Sequence, residues 1–128
     1  MSNNLKILSS TRDKPEVILN PKGIIKITGR LIPENPMDFF NPIDEWINEY
    51  FRNPADITYV EIYLEYINSI GTKYLLDTIH KIAHIHLRNK KKKLIINWYY
   101  KVDDEDILEK GTFFSSVLNV PFNFVSII

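Results

Sequence analysis

The stretch from Ile57 to Leu87 constrains this chain more than any other, because a strand pattern passes through a short polar turn directly into a helix pattern. In the strand, Val60, Ile62, Leu64 and Tyr66 fall on one face and Tyr59, Glu61, Tyr63 and Glu65 on the other, which fits a sheet covered on one side. The turn is Asn68-Ser69-Ile70-Gly71-Thr72. Beyond it Leu75, Leu76, Ile79, Ile82, Ala83 and Leu87 form the core face of a helix starting at Ser69 or Ile70. A hydroxyl at the first turn of a helix lies where unpaired backbone N–H groups and the positive end of the macrodipole converge. Ser69 can therefore cap the helix, and a phosphate attached to it would be favourably placed. Plain caps are the commoner use of Ser, Thr and Asn at such junctions.

The same alternation of strand and helix recurs along the chain. Residues 1–14 read as a loose lead-in, or as a short edge strand near Leu5 to Leu8, ahead of a domain spanning 15–128. Glu16 to Leu19 and Gly23 to Gly29 form a hairpin closed by Asn20-Pro21-Lys22-Gly23, a sequence suited to a type I turn. A Pro-bounded loop, Arg30 to Pro36, leads to a helix in which Asn41 caps and Pro42 takes the first position. Met37 to Phe40 add a preceding turn that Pro42 kinks or separates. Ile43, Trp46, Ile47, Tyr50 and Phe51 make its apolar stripe. Leu94 to Tyr100 is a further strand, Asp103 to Leu118 a third helical segment interrupted near Gly111, and Phe122 to Ile128 a final strand. The expected fold is α/β: one domain with a mixed sheet of about five strands and helices mainly on one face.

Composition narrows the function. Sixteen basic and sixteen acidic residues cancel, so no global field draws the chain to nucleic acid or an anionic membrane. Cysteine is absent, which removes thiol nucleophiles and thiolate metal sites and favours a reducing compartment. No hydrophobic run approaches membrane-spanning length, and the expected location is the cytoplasm. The four glycines make no phosphate-cradling loop, and no nucleophile and base share an interpretable frame, so no catalytic residues are assigned. Asp77, His80 and His84 share a helical face at a spacing a divalent metal can use, but Lys73 and Lys81 share that face too and a solvated surface accounts for it. Lys90 to Lys93 beside Trp98, Tyr99 and Tyr100 has the elements of a nucleic-acid surface, yet a lysine run at a helix-to-strand turn is ordinarily solvent-facing. Asp103 to Asp106 complement a helix dipole rather than hold magnesium.

Several short fragments, in their order and spacing, carry a resemblance. They are Pro33-Glu34-Asn35, Glu65-Tyr66-Ile67-Asn68-Ser69 with Thr72-Lys73, Trp98-Tyr99-Tyr100 followed by Asp103-Asp104-Glu105, then Glu109-Lys110-Gly111 and Pro121-Phe122. Over about residues 15 to 125 the chain resembles the SiaC family of bacterial regulatory phosphoproteins, whose fold is similar to the STAS domain of anti-sigma-factor antagonists. The resemblance implies a non-enzymatic partner-switching protein without a cofactor. In the family a dedicated kinase phosphorylates a Thr or Ser after the Asn of this turn, a PP2C-type phosphatase reverses the step, and the unmodified form binds and activates a diguanylate cyclase. Carried over, the acceptor is Ser69, with Thr72 second, and the partner-binding patch is Glu34, Asn35, Glu65, Asn68, Ser69, Thr72 and Lys73. Ile70-Gly71 departs from the family, which has small hydroxyl residues there.

Two other functions remain open from sequence: a stand-alone anti-sigma-factor antagonist using the same serine, and a domain that binds a small molecule or anion at the turn. A homodimer through the wet sheet face with Tyr59, Tyr63 and Tyr99 is also left open.

Overall fold

The computed structural model describes residues 4–89 and 91–128. Its elements, in chain order, are β1 (Lys6–Leu8), β2 (Glu16–Asn20), β3 (Ile24–Leu31), α1 (Pro36–Tyr50), β4 (Ile57–Ile67), α2 (Ser69–His86), β5 (Lys93–Lys101), α3 (Glu105–Leu118) and β6 (Asn123–Ile127). They build a six-stranded sheet in the order β1-β2-β3-β4-β5-β6. The first three strands are antiparallel neighbours, and β3 to β6 run parallel. Each parallel step is crossed by one helix. Because the strands advance in one direction and such crossovers share one hand, all three helices lie on one face of the sheet.

The sixth strand is β1: of the two readings of residues 1–14, a loose lead-in or a short edge strand near Leu5 to Leu8, the second holds over Lys6–Leu8. It pairs with β2, and the Trp46 indole donates to the Asn4 carbonyl at 3.0 Å, tying the segment to α1. The β2–β3 hairpin closes as its sequence requires. Gly23 N–H bonds Asn20 C=O at 2.9 Å with Gly23 at φ +110°, where a Cβ would stand 2.5 Å from the Ile57 carbonyl.

The core lies between sheet and helices: Val17, Leu19, Ile25, Ile27, Val60, Ile62, Leu64, Ile96 and Trp98 below, and Phe40, Ile43, Ile47, Leu75, Ile79, Ile82, Ile107 and Phe114 above. Burying a side chain of this size is worth roughly 1.5–3 kcal/mol, so this one layer supplies the main stabilising term. Trp98 is fully buried, and its indole donates to the Ile107 carbonyl at 2.9 Å, so the largest core side chain also fixes α3. The buried polar residues Thr58 and Thr78 are paired, as burial demands. Tyr50 and Thr58 hydroxyls meet at 2.7 Å, and Thr78 donates to Asp44 at 3.0 Å, linking α2 to α1.

Five sequence expectations are corrected. First, α1 begins at Pro36 with Asn35 as its cap, not at Asn41 and Pro42. Pro36 already supplies the preset φ of a first helical position, and Pro42 is carried inside the helix because Phe39 and Phe40 are buried in the core. Second, β3 continues through Arg30 to Leu31 rather than ending at Gly29. Third, α3 is uninterrupted at Gly111, where the missing side chain makes room for the Trp98 ring. Fourth, Leu87 is exposed and closes α2 instead of packing under it. Fifth, Tyr66 does not share the buried face of β4. Gly29 pairs with Leu64 and Arg30 with Tyr66, so Glu65 is an extra residue without an opposite on β3. This bulge shifts the alternation by one, leaving Tyr66 half exposed and turning Ile67 inward.

No helix among the described residues is long and apolar enough to cross a membrane. Of the basic run, Lys90 lies outside the described residues, and Lys92 pairs with Asp56 at 2.9 Å. That contact, foremost as a hydrogen bond and then as charge attraction, holds the Asp56 carboxyl below its usual pKa.

Candidate functional site

The turn between β4 and α2 is pinned from both sides. Asn68 N–H bonds the Leu31 carbonyl at 3.2 Å, the Asn68 side chain accepts from Gly71 N–H at 2.7 Å, and Thr72 Oγ1 donates to the Asn68 carbonyl at 2.8 Å. Asn68 is thus the cap of α2, and Ser69 is its first helical residue. The hydroxyl of Ser69 is exposed and released from capping. With Thr72 N–H bonded to the Asn68 carbonyl and Gly71 N–H to its side chain, the N–H groups of Ser69 and Ile70 remain open at the positive end of the helix. Gly71 is buried against β3. A Cβ there would lie 2.7 Å from the Leu31 carbonyl oxygen and 3.0 Å from Leu31 Cγ.

Because β4 and β5 are parallel neighbours, the segments leaving their carboxyl ends stand side by side. Ser69 accordingly lies in a cleft of about 630 Å³ whose other wall is the start of α3. Glu65, Tyr66, Asn68 and Ser69 line one side, and Asp104, Asp106, Glu109, Lys110 and Phe113 the other, with Ile67 and Ile107 also contributing. Asp104 caps α3, accepting from Ile107 N–H at 3.1 Å. The cleft therefore has an apolar surface, half-exposed Tyr66 and Phe113 included, within a rim of four carboxylates and one lysine. Below it, Arg30 stacks over the Tyr66 ring at 5.6 Å.

Of the residues chosen from sequence, Glu65, Asn68 and Ser69 are brought together in this cleft. Thr72 and Lys73 lie on the next part of α2, outside its lining, and the Thr72 hydroxyl is occupied by its own bond. Glu34 is exposed and Asn35 caps α1, accepting from Asp38 N–H at 3.4 Å; neither lines the cleft. The α3 wall of the cleft has no counterpart among the residues chosen from sequence. Its signal was the succession of parallel units, which sets the loop after β5 next to the turn after β4. His80 and His84 stack at 6.1 Å on the exposed side of α2, and no group of three or more His, Cys, Asp or Glu able to hold a metal occurs among the described residues.

The opposite sheet face carries its own network. The Glu61 carboxylate accepts from Tyr99 at 2.9 Å and Asn97 at 2.7 Å, and Asn97 accepts from Asn123 at 3.1 Å. Partial burial, and then the Glu61 hydrogen bond and charge, raise the Tyr99 hydroxyl above its usual pKa.

The sequence model of SiaC family regulatory phosphoproteins matches residues 8–127. This chain belongs to the SiaC family. Among solved structures it is similar to SiaC in the complex of the diguanylate cyclase SiaD with its activator SiaC from Pseudomonas aeruginosa, at a TM-score of 0.86 and 18% identity over 95% of this chain and 99% of that one. It is also similar to SiaC of Pseudomonas aeruginosa determined separately, at a TM-score of 0.81 and 16% identity over 98% of this chain and 100% of that one. A relative of undescribed function in Pseudomonas aeruginosa strain UCBPP-PA14 is 21% identical over 100 residues, 78% of each chain. The family match makes the chain a member of the SiaC family of regulatory phosphoproteins, and the solved structures show that it has the SiaC fold.

Proposed function

We propose that this chain is a partner switch whose phosphate acceptor is Ser69, and whose unmodified form docks an effector over the Ser69 cleft. The observation that carries this reading is the division of labour at the turn: Asn68 does the capping, so the adjacent hydroxyl stands exposed with no structural duty. A phosphate would add roughly 1.5 to 2 negative charges there. The open N–H groups of the first turn tolerate it within the fold. Glu65, Asp104, Asp106 and Glu109 on the cleft rim make it hostile to a partner that must cover the site. Desolvating an unpaired or like-charged group at an interface costs several kcal/mol, so the modification changes affinity by orders of magnitude.

The wider circuit follows the family: a cognate kinase places the phosphate, a PP2C-type phosphatase removes it, and the effector is a diguanylate cyclase. The resemblance to the activator in the SiaD complex supports that choice of effector. The chain itself is not an enzyme in this scheme. The test begins with site-mapping mass spectrometry of the protein from its own cells. A phosphopeptide containing Ser69, absent in Ser69→Ala, is expected. Cyclase activity measured with the purified chain should rise with wild type and Ser69→Ala and fail to rise with Ser69→Asp. Phosphate confined to Thr72, or a chain unmodified in every growth phase, sinks the assignment.

A further inference from the structure

All sixteen basic and sixteen acidic residues precede residue 111, and from Gly111 to Ile128 the sequence has no charge and no histidine. This segment forms the second half of α3 and the whole of β6, so the β6 edge carries no charged side chain. The two edges of the sheet differ accordingly. The β1 edge is three residues long and carries Lys6, the usual means of discouraging strand addition. The β6 edge runs Asn123-Phe124-Val125-Ser126-Ile127 with no charge, proline or bulge, and four of its five residues are exposed. The helix before it, α3, seats on β4 and β5, and Phe122 anchors the strand by stacking on Trp98 at 6.0 Å. The outer row of β6 backbone N–H and C=O groups is thus presented by a strand fixed in place on its inner side.

We infer that this edge is a self-association surface: two copies of the chain pair their β6 strands antiparallel about a two-fold axis, joining their sheets into one. Charge chooses the occupant. A two-fold axis sets residues near it against their own copies, so any charge there repels itself, and an uncharged strand is what such a contact requires. A partner selected by complementary charge would find nothing to read. Centring the axis on Val125 sets Asn123 opposite Ile127, Phe124 opposite Ser126, and Val125 opposite itself. Phe124 and Val125, 38% and 36% exposed, then gain cover on opposite faces of the joined sheet. Strand pairing of this length makes a modest interface, so the dimer is concentration-dependent. The contact uses the edge of the strand, while the adjoining wet sheet face has its Glu61 carboxylate already engaged by Tyr99 and Asn97.

The test is sedimentation velocity of the full chain between about 10 and 200 µM, a range matched to small interfaces. Wild type should pass from monomer to dimer. Val125→Glu and Val125→Lys should each remain monomeric with unchanged circular dichroism, and mixing the two should restore a one-to-one dimer, since the opposed residues then carry opposite charges. The chain lacks cysteine, so Val125→Cys offers a second reading. Opposed strand residues lie about 4.5–5.5 Å apart at Cα, within disulfide reach. Val125→Cys should oxidise to a linked dimer, while Ile7→Cys on the β1 edge should not. A wild-type chain monomeric throughout, a dimer that survives Val125→Glu, or equal cross-linking at both edges overturns the inference.

Discussion

Gly71 illustrates how a single residue can reverse the usual rule for its type. Replacing a helical glycine by alanine ordinarily gains about 1 kcal/mol of helix propensity. Here the new Cβ would meet the Leu31 carbonyl oxygen at 2.7 Å, and that oxygen is held in place by Asn68 N–H. Overpacking against a backbone group that cannot yield costs roughly 1–3 kcal/mol, which cancels or outweighs that gain, so Gly71→Ala should not stabilise the chain and should lower stability by up to about 2 kcal/mol in urea denaturation. Tyr99 gives a second prediction at this scale. Its pKa is raised above 10.0 in the folded chain, so folding binds that proton more tightly than the unfolded state does. The resulting stability is fully present below the unfolded pKa and is lost as pH rises through the folded one. The stability gap between wild type and Tyr99→Phe should therefore narrow as pH rises past about 10 in denaturation series.

Among the elements, α3 comes closest to the sheet where Gly111 meets Trp98. A Cβ at Gly111 would fall 2.5 Å from Trp98 Cδ1 and Nε1, and the Trp98 indole is fixed by its bond to the Ile107 carbonyl. Gly111→Ala should displace the helix or the ring at a cost of about 2 kcal/mol or more. Near-ultraviolet circular dichroism, which reports the Trp98 environment, should change while helix content does not. The element pattern itself was largely legible in the sequence, since period-two and period-3.6 apolar spacing survives wherever one face is buried. Ser69 and Asn68 were placed at the start of α2 on that basis. What was not legible arose from contacts between distant segments. Gly111 reads as a helix interruption until Trp98 is seen beside it, and Tyr66 reads as core until the bulge at Glu65 is counted. Pro42 reads as a helix start because Asn35-Pro36, an equally good start, lies a turn and a half earlier. The cleft followed the same logic. Its Ser69 side was visible locally, whereas its α3 wall depends on β4 and β5 being neighbours, which no local pattern specifies.

At the scale of the molecule, the proposed switch requires that modifying Ser69 change binding without changing the fold. The hydroxyl is exposed and lies outside the core layer that holds the helices to the sheet, so no buried contact depends on it. A negative group at this helix start gains about 0.3–1 kcal/mol from the macrodipole, opposed by repulsion from the carboxylates across the cleft. These effects are similar in size and opposite in sign, so Ser69→Asp should shift unfolding free energy by less than about 1 kcal/mol. An interface closing over the same atom has no such compensation, because water and the open cleft are what accommodate the charge in the free chain. Affinity for the cyclase should then fall at least tenfold, which corresponds to about 1.4 kcal/mol or more. Paired measurement of urea denaturation and cyclase titration on Ser69→Asp separates the two effects. If stability falls as far as binding does, Ser69 acts through the fold and the cleft is not a docking surface. If neither changes, the effector sits elsewhere on the molecule.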